Sequence, residues 1–427
     1  MKPAGVAIRR ERFTMYLPVS RRRARSLLAG ILLVLSVDFG IAGPSPRSSP
    51  SGPNAQAYGE AQGFPVGDTH TWSQVKYVVG SYSHFDAIFP ARGVPHSRSV
   101  WSFRRSETEP VISYSYAGHV NSIDDYLSHI PVTGLLIGKD DTILIERYQY
   151  GRTDRDRFTS ASMAKTIVAL LLGVASVEHA DLSINRMAED FLPGLRHTAY
   201  GETTIRDLLH MSSGITVNDG LLLHKLYTPR LSGDAQILAA FNQRTTKPGA
   251  EFHYSCGDSE TLGLTLHDVT RESLATYFSE KIWQPIGSEE DASWSVDSSG
   301  EEVTCFGVNA ILRDWGRLAR LLASDGVWEG RQIVPRQWLL DGTSNRPSDS
   351  QLLPDRATPG FGYGYQVWTL PGPRRMFALR GADGQFILVD PASKLFMVQT
   401  AVIVGHMDAQ TAETMSLWQS LVSQHGD

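Results

Sequence analysis

Ser162 and Lys165 are the residues whose types and spacing point most directly to chemistry. They stand three positions apart at the start of an apolar stretch with helical spacing, so their side chains are expected to share one helix face. Burial or a neighbouring cation lowers the pKa of a lysine, and a neutral amine can accept the proton of a serine hydroxyl. Backbone N–H groups at a helix start stabilise a developing oxyanion. The pair therefore predicts a nucleophile and its base.

The spacing of this pair is weak evidence by itself. A second Ser-x-x-Lys occurs at Ser73–Lys76, where no helix start precedes it and no apolar helix follows. For Ser162 and Lys165 taken alone, a surface helix with a solvated lysine is the alternative. Other segments of the chain must therefore support the catalytic interpretation.

Two later segments carry residues suited to the same chemistry. Tyr254 lies between a Pro-Gly turn and a predicted helix, where its hydroxyl can relay protons. A core tyrosine with one hydrogen bond is the alternative.

The Gly-rich segment Leu379–Phe386 runs into a predicted strand, and its glycines allow a backbone N–H to approach an oxyanion. A plain turn between strands is the alternative there.

Composition and cysteine count exclude several classes of protein. The 427 residues are 41% hydrophobic, which is ample for a buried core, and the net charge of −5 gives no reason to expect nucleic acid. The two cysteines, Cys256 and Cys305, do not make a zinc site, and their sequence does not tell whether they pair. The chain also lacks Gly-x-Ser-x-Gly, the nucleophile motif of a rival class of serine hydrolase, and His-Glu-x-x-His, the motif of a zinc peptidase. Both classes are therefore disfavoured.

The N-terminus predicts export. Basic residues at 21–25 precede the apolar run Leu27–Val37 and a small-residue segment, Gly40–Gly43. Residues 1–43 are therefore predicted to be a signal peptide, or an uncleaved anchor that would be the chain's one attachment to a membrane. The sequence leaves open whether translation starts at Met1 or at Met15. Residues 44–63 read as a flexible linker, and the aromatic-rich residues 64–112 as an extension packed on the catalytic domain.

Periodicity predicts strands at both ends of the catalytic part and helices in its middle. The predicted strands are Gly134–Gly138 and Thr142–Tyr148 as a hairpin, then Tyr363–Trp368, Met376–Leu379, Phe386–Val389 and Phe396–Ala401. The predicted helices are Phe158–His179, Ile184–Phe191, Thr204–Leu209, Glu260–Ser279, Arg313–Leu322 and Ala409–Gln424. We expect an α/β fold of the α+β type, with an antiparallel sheet built from both chain ends and a helical region inserted at about residues 176–290.

Taken in this order, the motifs resemble the serine β-lactamase-related superfamily, which includes class C β-lactamases and penicillin-binding proteins. Within it the chain most resembles the branch of 6-aminohexanoate-dimer hydrolases and family VIII esterases. The matching segments are Ser160–Lys165, Thr204–Gly214, Tyr254–Cys256, Trp283–Gly287, Asp291–Trp294, Gly326–Gly330 and Arg380–Gln385. The resemblance spans roughly Ser113 to the C-terminus, so residues 113–427 are expected to form the hydrolase domain.

The resemblance implies a role for each matching residue. Ser162 would be acylated, Lys165 would be its general base, and Tyr254 would shuttle the proton to the leaving group. The backbone N–H groups of Ser162 and Ala382 would form the oxyanion hole. Arg380, Gly381 and Gln385 are the expected substrate contacts in the matching segments. Outside those segments, Tyr227, in the loop Leu221–Arg230, is expected to border the acyl pocket. The resemblance implies no metal or organic cofactor, and the expected substrate is a small ester, amide or short peptide.

Two departures from the superfamily pattern favour an esterase or amidase. Cys256 stands where class C β-lactamases often carry Asn, and Leu379–Gly381 replaces the usual Lys-Thr-Gly triplet. The lost strand lysine is an obvious partner for a β-lactam carboxylate, which Arg380 would replace in part. A penicillin-binding D-alanyl peptidase or β-lactamase is one alternative. A catalytically silent binding module is the alternative of another class.

Overall fold

The computed structural model describes residues 46–227, 233–405 and 407–426. The predicted signal or anchor segment, residues 1–43, lies outside the described residues. Among the residues that are described, no helix has both the length and the apolar character needed to cross a membrane.

The strands are short at the N-terminus and longer in the catalytic part. They are β1 (Arg47–Ser48), β2 (Ala91–Val94), β3 (Arg104–Arg105), β4 (Ser113–Tyr116), β5 (His119–Ser122), β6 (Val132–Lys139), β7 (Thr142–Tyr148), β8 (Arg157–Thr159), β9 (Ala292–Ser295), β10 (Val308–Ile311), β11 (Val327–Trp328), β12 (Arg331–Gln332), β13 (Gly362–Tyr363), β14 (Trp368–Thr369), β15 (Phe377–Gly381), β16 (Gln385–Asp390) and β17 (Leu395–Ala401).

The largest sheet has the order β1-β7-β6-β17-β16-β15-β14-β13, and β3 also pairs with β7. Strands β6 and β7 form the predicted antiparallel hairpin. Strand β17, from the far end of the chain, pairs antiparallel with β6. The two ends of the catalytic part therefore share one sheet, which confirms the predicted fold class.

Helices cover both faces of this sheet. They are α1 (Val78–Ser83), α2 (Phe85–Ile88), α3 (Ile123–His129), α4 (Met163–Glu178), α5 (Ile205–Leu209), α6 (Asp219–Tyr227), α7 (Asp234–Ala239), α8 (Cys256–Thr270), α9 (Leu274–Phe278), α10 (Leu312–Ala323), α11 (Arg336–Thr343) and α12 (Met407–His425).

Alternation along β6 separates the two layers of the core. Leu136 belongs to the cluster that contains α4 and α10, whereas its neighbour Leu135 belongs to the cluster that contains α3 and α12. Successive strand residues point to opposite faces, so a strand covered on both sides is apolar without interruption. This sandwich holds α4, whose residues Met163–Ala175 are all buried, rigidly against the sheet.

The segment before the catalytic domain is packed onto it. Strand β1 pairs in parallel with β7, and both Ala55 and Tyr58 are buried. The prediction of a flexible linker over residues 44–63 is therefore wrong from Arg47 onward. Its Pro, Ser and Gly content was typical of a linker, but composition does not reveal that Tyr58 packs edge-on against Tyr150.

Four predicted elements differ from the observed ones. The helix predicted at 158–179 starts later, because Phe158 and Thr159 belong to β8 and α4 begins at Met163. Residues 184–191 contain one short 3-10 turn, Ala188–Asp190, instead of a helix. The helix predicted at 260–279 is two helices, because Arg271 ends α8 in the left-handed region with φ of 60° and Ser273 caps α9. The strand predicted at 363–368 is the hairpin of β13 and β14.

Candidate active site

Ser162 lies at the N-terminus of α4 on a constrained turn. Ala161 before it has a φ of 41°, a conformation that side-chain-bearing residues seldom adopt. Ser160 fixes the other side of the turn, because its N–H donates to the carbonyl of Val308 at 2.7 Å and its Oγ accepts from the Val308 N–H at 3.1 Å. The Ser162 hydroxyl makes no capping bond to α4. It is thus held by the backbone and remains available for other chemistry.

Lys165 points from the first turn of α4 directly to this hydroxyl. Its Nζ lies 3.2 Å from Ser162 Oγ and 2.8 Å from the carbonyl oxygen of Cys305. The lysine side chain is 1% exposed. Both partners are neutral, and no carboxylate in the described part of the chain forms a salt bridge with it. A buried lysine without an ion-pair partner is a characteristic arrangement of a general base.

Tyr254 completes a cluster of three predicted residues. Its ring centroid lies 4.8 Å from Lys165 Nζ. The ring stacks on Trp368 at 5.4 Å and meets Tyr363 edge-on at 6.1 Å, so it is held from two sides. The sequence predicted the three residues one by one, and the fold brings them together. Trp368, which orients the tyrosine, was not predicted.

Gly381 and Ala382 lie against the start of α4. A Cβ atom at Gly381 would be 2.5 Å from the carbonyl oxygen of Ser160 and 2.8 Å from Cβ of Ala161, so a larger residue would displace one of the two segments. Strand β15 ends at Gly381, and Ala382 begins a short turn. The predicted oxyanion pair therefore belongs to two segments in contact.

A residue from the N-terminal extension supports this turn. Tyr82 donates a hydrogen bond from its hydroxyl to the carboxylate of Asp383, which follows Ala382 and has a φ of 58°. Burial raises the pKa of Asp383. Gln385 supports the same turn, since its amide donates to the carbonyls of Ala382 at 3.2 Å and Ala401 at 2.7 Å.

The remaining predicted substrate contacts lie on different sides of the cluster. Arg380 places its guanidinium over the rings of Phe361 and Trp368, at 4.9 and 5.5 Å. Tyr227 packs against Phe89 of the extension and against Phe306, at 5.3 and 6.1 Å. Phe306 follows Cys305, so this aromatic contact reaches the segment that binds Lys165. Substrate binding by Arg380, Tyr227, Gly381 and Gln385 stays a prediction.

Cys256 and Cys305 form a disulfide beside the lysine, which settles the pairing left open by the sequence. Their Cα atoms are 5.2 Å apart, and the bond spans 49 residues of sequence. Cys256 is the first residue of α8, and its Sγ lies 3.7 Å from Lys165 Nζ. The bond thus joins the segment after Tyr254 to the one whose carbonyl accepts from the lysine.

Glu260 anchors the Cys305 segment from within α8. Its carboxylate accepts the N–H groups of Thr304 at 3.1 Å and of Cys305 at 3.2 Å. Burial raises the pKa of Glu260 to about 7, against the lowering effect of these hydrogen bonds and of the Lys165 charge. No motif singled out Glu260, because its partners are distant backbone groups.

We expect Glu260→Gln to change stability in a pH-dependent way. The folded-state pKa lies above that of the unfolded chain, so protonated Glu260 stabilises the fold at acidic pH, and this contribution is lost as the pH rises through about 7. The amide that replaces the carboxyl group in the variant stays neutral at every pH. From about pH 5 to about pH 8, the unfolding free energy of the wild type should therefore fall relative to the variant by up to about 3 kcal/mol. Thermal melts across that range test this, and a constant difference between the two proteins would contradict it.

Comparison with known proteins agrees with the fold. The sequence profile of the family described as Beta-lactamase matches residues 121–411. A 6-aminohexanoate-dimer hydrolase from Paenarthrobacter ureafaciens is 22% identical over 80% of this chain and 89% of its own length.

Solved structures give the same result. A structure titled "Putative 6-aminohexanoate-dimer hydrolase from Bacillus anthracis" has a TM-score of 0.76 and 21% identity, covering 83% of this chain and 96% of its own. EstCE1, titled a hydrolase with promiscuous acyltransferase activity, has a TM-score of 0.51 and 15% identity, covering 68% and 93%. The profile match extends over more than half of the sequence, and the chain is therefore a hydrolase that belongs to the Beta-lactamase family.

Proposed function

We propose that this hydrolase cleaves ester or amide bonds through an acyl-enzyme on Ser162. One observation carries the proposal: Ser162 Oγ lies 3.2 Å from a buried lysine whose other strong hydrogen bond is to a neutral carbonyl. A lysine in that position can accept the serine proton as the oxygen attacks a carbonyl carbon.

In the proposed first half-reaction, Lys165 takes the proton of Ser162 while Oγ bonds to the substrate carbon. The N–H groups of Ser162 and Ala382 bind the negative oxygen of the tetrahedral intermediate. The proton then passes through the Tyr254 hydroxyl to the leaving alcohol or amine, and the bond to the leaving group breaks. In the second half, water bonds to the acyl carbon as it loses a proton to the same Tyr254 and Lys165 pair. The bond from that carbon to Ser162 Oγ then breaks, the proton returns to Oγ, and the acid leaves.

The strand beside the site supports esters and amides over β-lactams. Leu379 occupies the place of the missing strand lysine and is fully buried, so no cation projects from that position. Arg380 lies over aromatic rings instead. The relative from Paenarthrobacter ureafaciens is named for hydrolysis of an amide dimer, in line with this preference.

Intact-mass spectrometry over a panel of substrates tests the proposal. The panel contains a short p-nitrophenyl ester, an anilide of the same acid and a fluorescent penicillin. We expect a transient mass increase equal to the acyl group with the ester or the anilide, and turnover of at least one. Stable labelling by the penicillin without ester turnover would favour the D-alanyl peptidase instead. No adduct with the panel or with a fluorophosphonate would favour a silent binding module.

We expect Tyr254→Phe to lower kcat by about 10²- to 10⁴-fold, because the ring keeps its place and only the proton shuttle is lost. KM should change less, since the stacking on Trp368 is preserved. Tyr363→Phe is the matched control: it removes a hydroxyl from the adjoining ring, and we expect less than about a threefold effect on kcat. Equal losses in both variants would remove the shuttle role from Tyr254.

We also propose that the chain is exported. The basic and apolar N-terminus supports this, and so does the disulfide, because such bonds persist in oxidising compartments. Expression of the full chain with cell fractionation and N-terminal sequencing tests it. Cytoplasmic protein with an intact N-terminus would contradict export.

A further inference from the structure

The disulfide occupies a position that a purely structural cross-link does not require. Cys256 Sγ is 3.7 Å from Lys165 Nζ, and the carbonyl of Cys305 accepts from the same nitrogen at 2.8 Å. The two cysteine residues are 7% and 1% exposed. Both halves of the bond therefore contact the proposed base.

From this geometry we propose that Cys256 and Cys305 form a thiol–disulfide switch that controls Lys165. The inference rests on the proposed function, because it needs Lys165 to act as a base. In the oxidised protein the sulfur beside the lysine is neutral, and the bond fixes the carbonyl that orients the amine. In the reduced protein, the Cys256 thiol becomes an ionisable group 3.7 Å from the amine.

Reduction is a two-electron exchange with a small dithiol. The two thiols of the dithiol become its own disulfide, the S–S bond of the protein breaks, and Cys256 and Cys305 each gain a proton. No other reactant is needed. A small dithiol would approach from the side of Ser162, which is partly exposed, and Cys256 itself keeps 7% of its surface accessible.

The charges around Cys256 favour its thiolate once the bond is broken. It is the first residue of α8, where the helix dipole favours an anion, and Lys165 adds a positive charge from α4. Three carboxylates oppose this effect: Asp219 from α6 accepts the Cys256 N–H at 2.9 Å, and Asp258 and Glu260 lie within the first turns of α8. Asp258 and Glu260 oppose it less at neutral pH, since burial raises the pKa of each to about 7. Tyr254, two residues before the cysteine, and Tyr200, whose hydroxyl lies against Gly257, are further titratable neighbours.

The consequence for catalysis follows from the sign of the new charge. A thiolate beside Lys165 keeps its amine protonated, and an ammonium ion cannot accept the proton of Ser162. The reduced enzyme therefore needs a higher pH before the base becomes available. Loss of the cross-link also removes one of the constraints on the Cys305 carbonyl. The other constraint remains, because the N–H groups of Thr304 and Cys305 still donate to Glu260.

Two single variants separate the thiolate effect from the loss of the cross-link. Cys305→Ala and Cys256→Ala break the same bond, but only Cys305→Ala leaves a thiol beside Lys165. We expect Cys256→Ala to lose some activity from the missing cross-link. Cys305→Ala should have a kcat at least about tenfold lower still at neutral pH, and the double variant should behave like Cys256→Ala. The acidic limb of kcat/KM for Cys305→Ala should move to higher pH by about one unit.

A spectroscopic measurement checks the ion pair without using turnover. Cys305→Ala should show the ultraviolet absorbance of one thiolate at neutral pH, and adding Lys165→Met should remove it. Thermal melts show whether the two single variants are equally folded. Wild-type protein treated with dithiothreitol should lose activity as its thiols appear, and regain it on reoxidation.

The outcomes distinguish this inference from the proposed function. If the wild type forms no acyl-enzyme with any substrate, the proposed function fails. If the wild type turns over but Cys305→Ala equals Cys256→Ala in kcat and pH profile, the switch is overturned and the disulfide is structural. Full activity of wild-type protein with both thiols titrated would overturn it as well. A bond that dithiothreitol leaves intact in the folded protein would overturn the switch too, because the two states could not interconvert.

Discussion

Replacing Ser162 by Ala is expected to lower kcat by more than about 10⁴-fold, because it removes the atom that becomes acylated. The substitution leaves the fold intact, since the hydroxyl makes no capping bond and only receives a hydrogen bond from Lys165. Its melting temperature should stay within about 2 °C of the wild-type value. Steady-state turnover of the ester and intact-mass detection of the adduct measure the two consequences separately.

Ser73→Ala is the matched control for this prediction. Ser73 and Lys76 repeat the Ser-x-x-Lys spacing, but both side chains are exposed and neither begins a helix. We expect Ser73→Ala to keep wild-type activity and to form the same adduct. Turnover that survives Ser162→Ala, or an adduct that disappears with Ser73→Ala, would move the nucleophile away from α4.

The fold could be predicted where the sequence has a local period. The hairpin of β6 and β7 and the helix α10 follow from apolar spacing of two and of about 3.6 residues, and they were found within a few positions. The helix predicted at residues 184–191 is wrong, because the same apolar spacing also occurs around the 3-10 turn Ala188–Asp190. The Met187 N–H donates to Asp190 as at a helix start, but Pro193 disfavours the helical conformation at Leu192, so the 3-10 helix ends after one turn.

The site could be predicted only as separate segments. The resemblance named Ser162, Lys165 and Tyr254, yet nothing local indicated that Cys305 supplies a carbonyl to the lysine or that Trp368 stacks on the tyrosine. These contacts join segments far apart in the chain, and a backbone carbonyl has no sequence signature. The same reason applies to the disulfide, because cysteine spacing does not determine pairing.

The N-terminal extension has a closer relation to the site than its composition indicated. Tyr82 bonds to Asp383 beside the predicted oxyanion residue, and Phe89 contacts Tyr227 on the other side. Aromatic density predicted that these residues pack, which a disordered segment would not. It could not predict that they pack at the site. The extension therefore forms part of the surroundings in which a substrate would be oriented.

Replacing Lys165 by Met is expected to separate activity from stability. The wild-type Lys165 side chain is buried with neutral partners, so replacing its polar end by an apolar group relieves a desolvation cost while leaving the Cys305 carbonyl without one donor. These effects oppose each other at about 1 to 3 kcal/mol each, and the melting temperature should fall little or rise. In contrast, kcat should fall by about 10³-fold or more, because Lys165 is the one side chain among the described residues with a hydrogen bond to Ser162 Oγ. Activity assays and thermal melts on one preparation measure both.

Lys165→Arg tests whether the lysine acts as a base or only as a positive charge. Its guanidinium keeps the charge but does not lose a proton in this pH range, so a base role predicts a loss as large as that of Lys165→Met. Electrostatic stabilisation alone predicts that Lys165→Arg retains a substantial part of kcat. The second result, in a variant that melts like the wild type, would remove the base role from Lys165. It would also remove the basis for a switch at Cys256. The switch requires Lys165 to exchange a proton with Ser162, because only then does the charge of the sulfur 3.7 Å away affect the reaction.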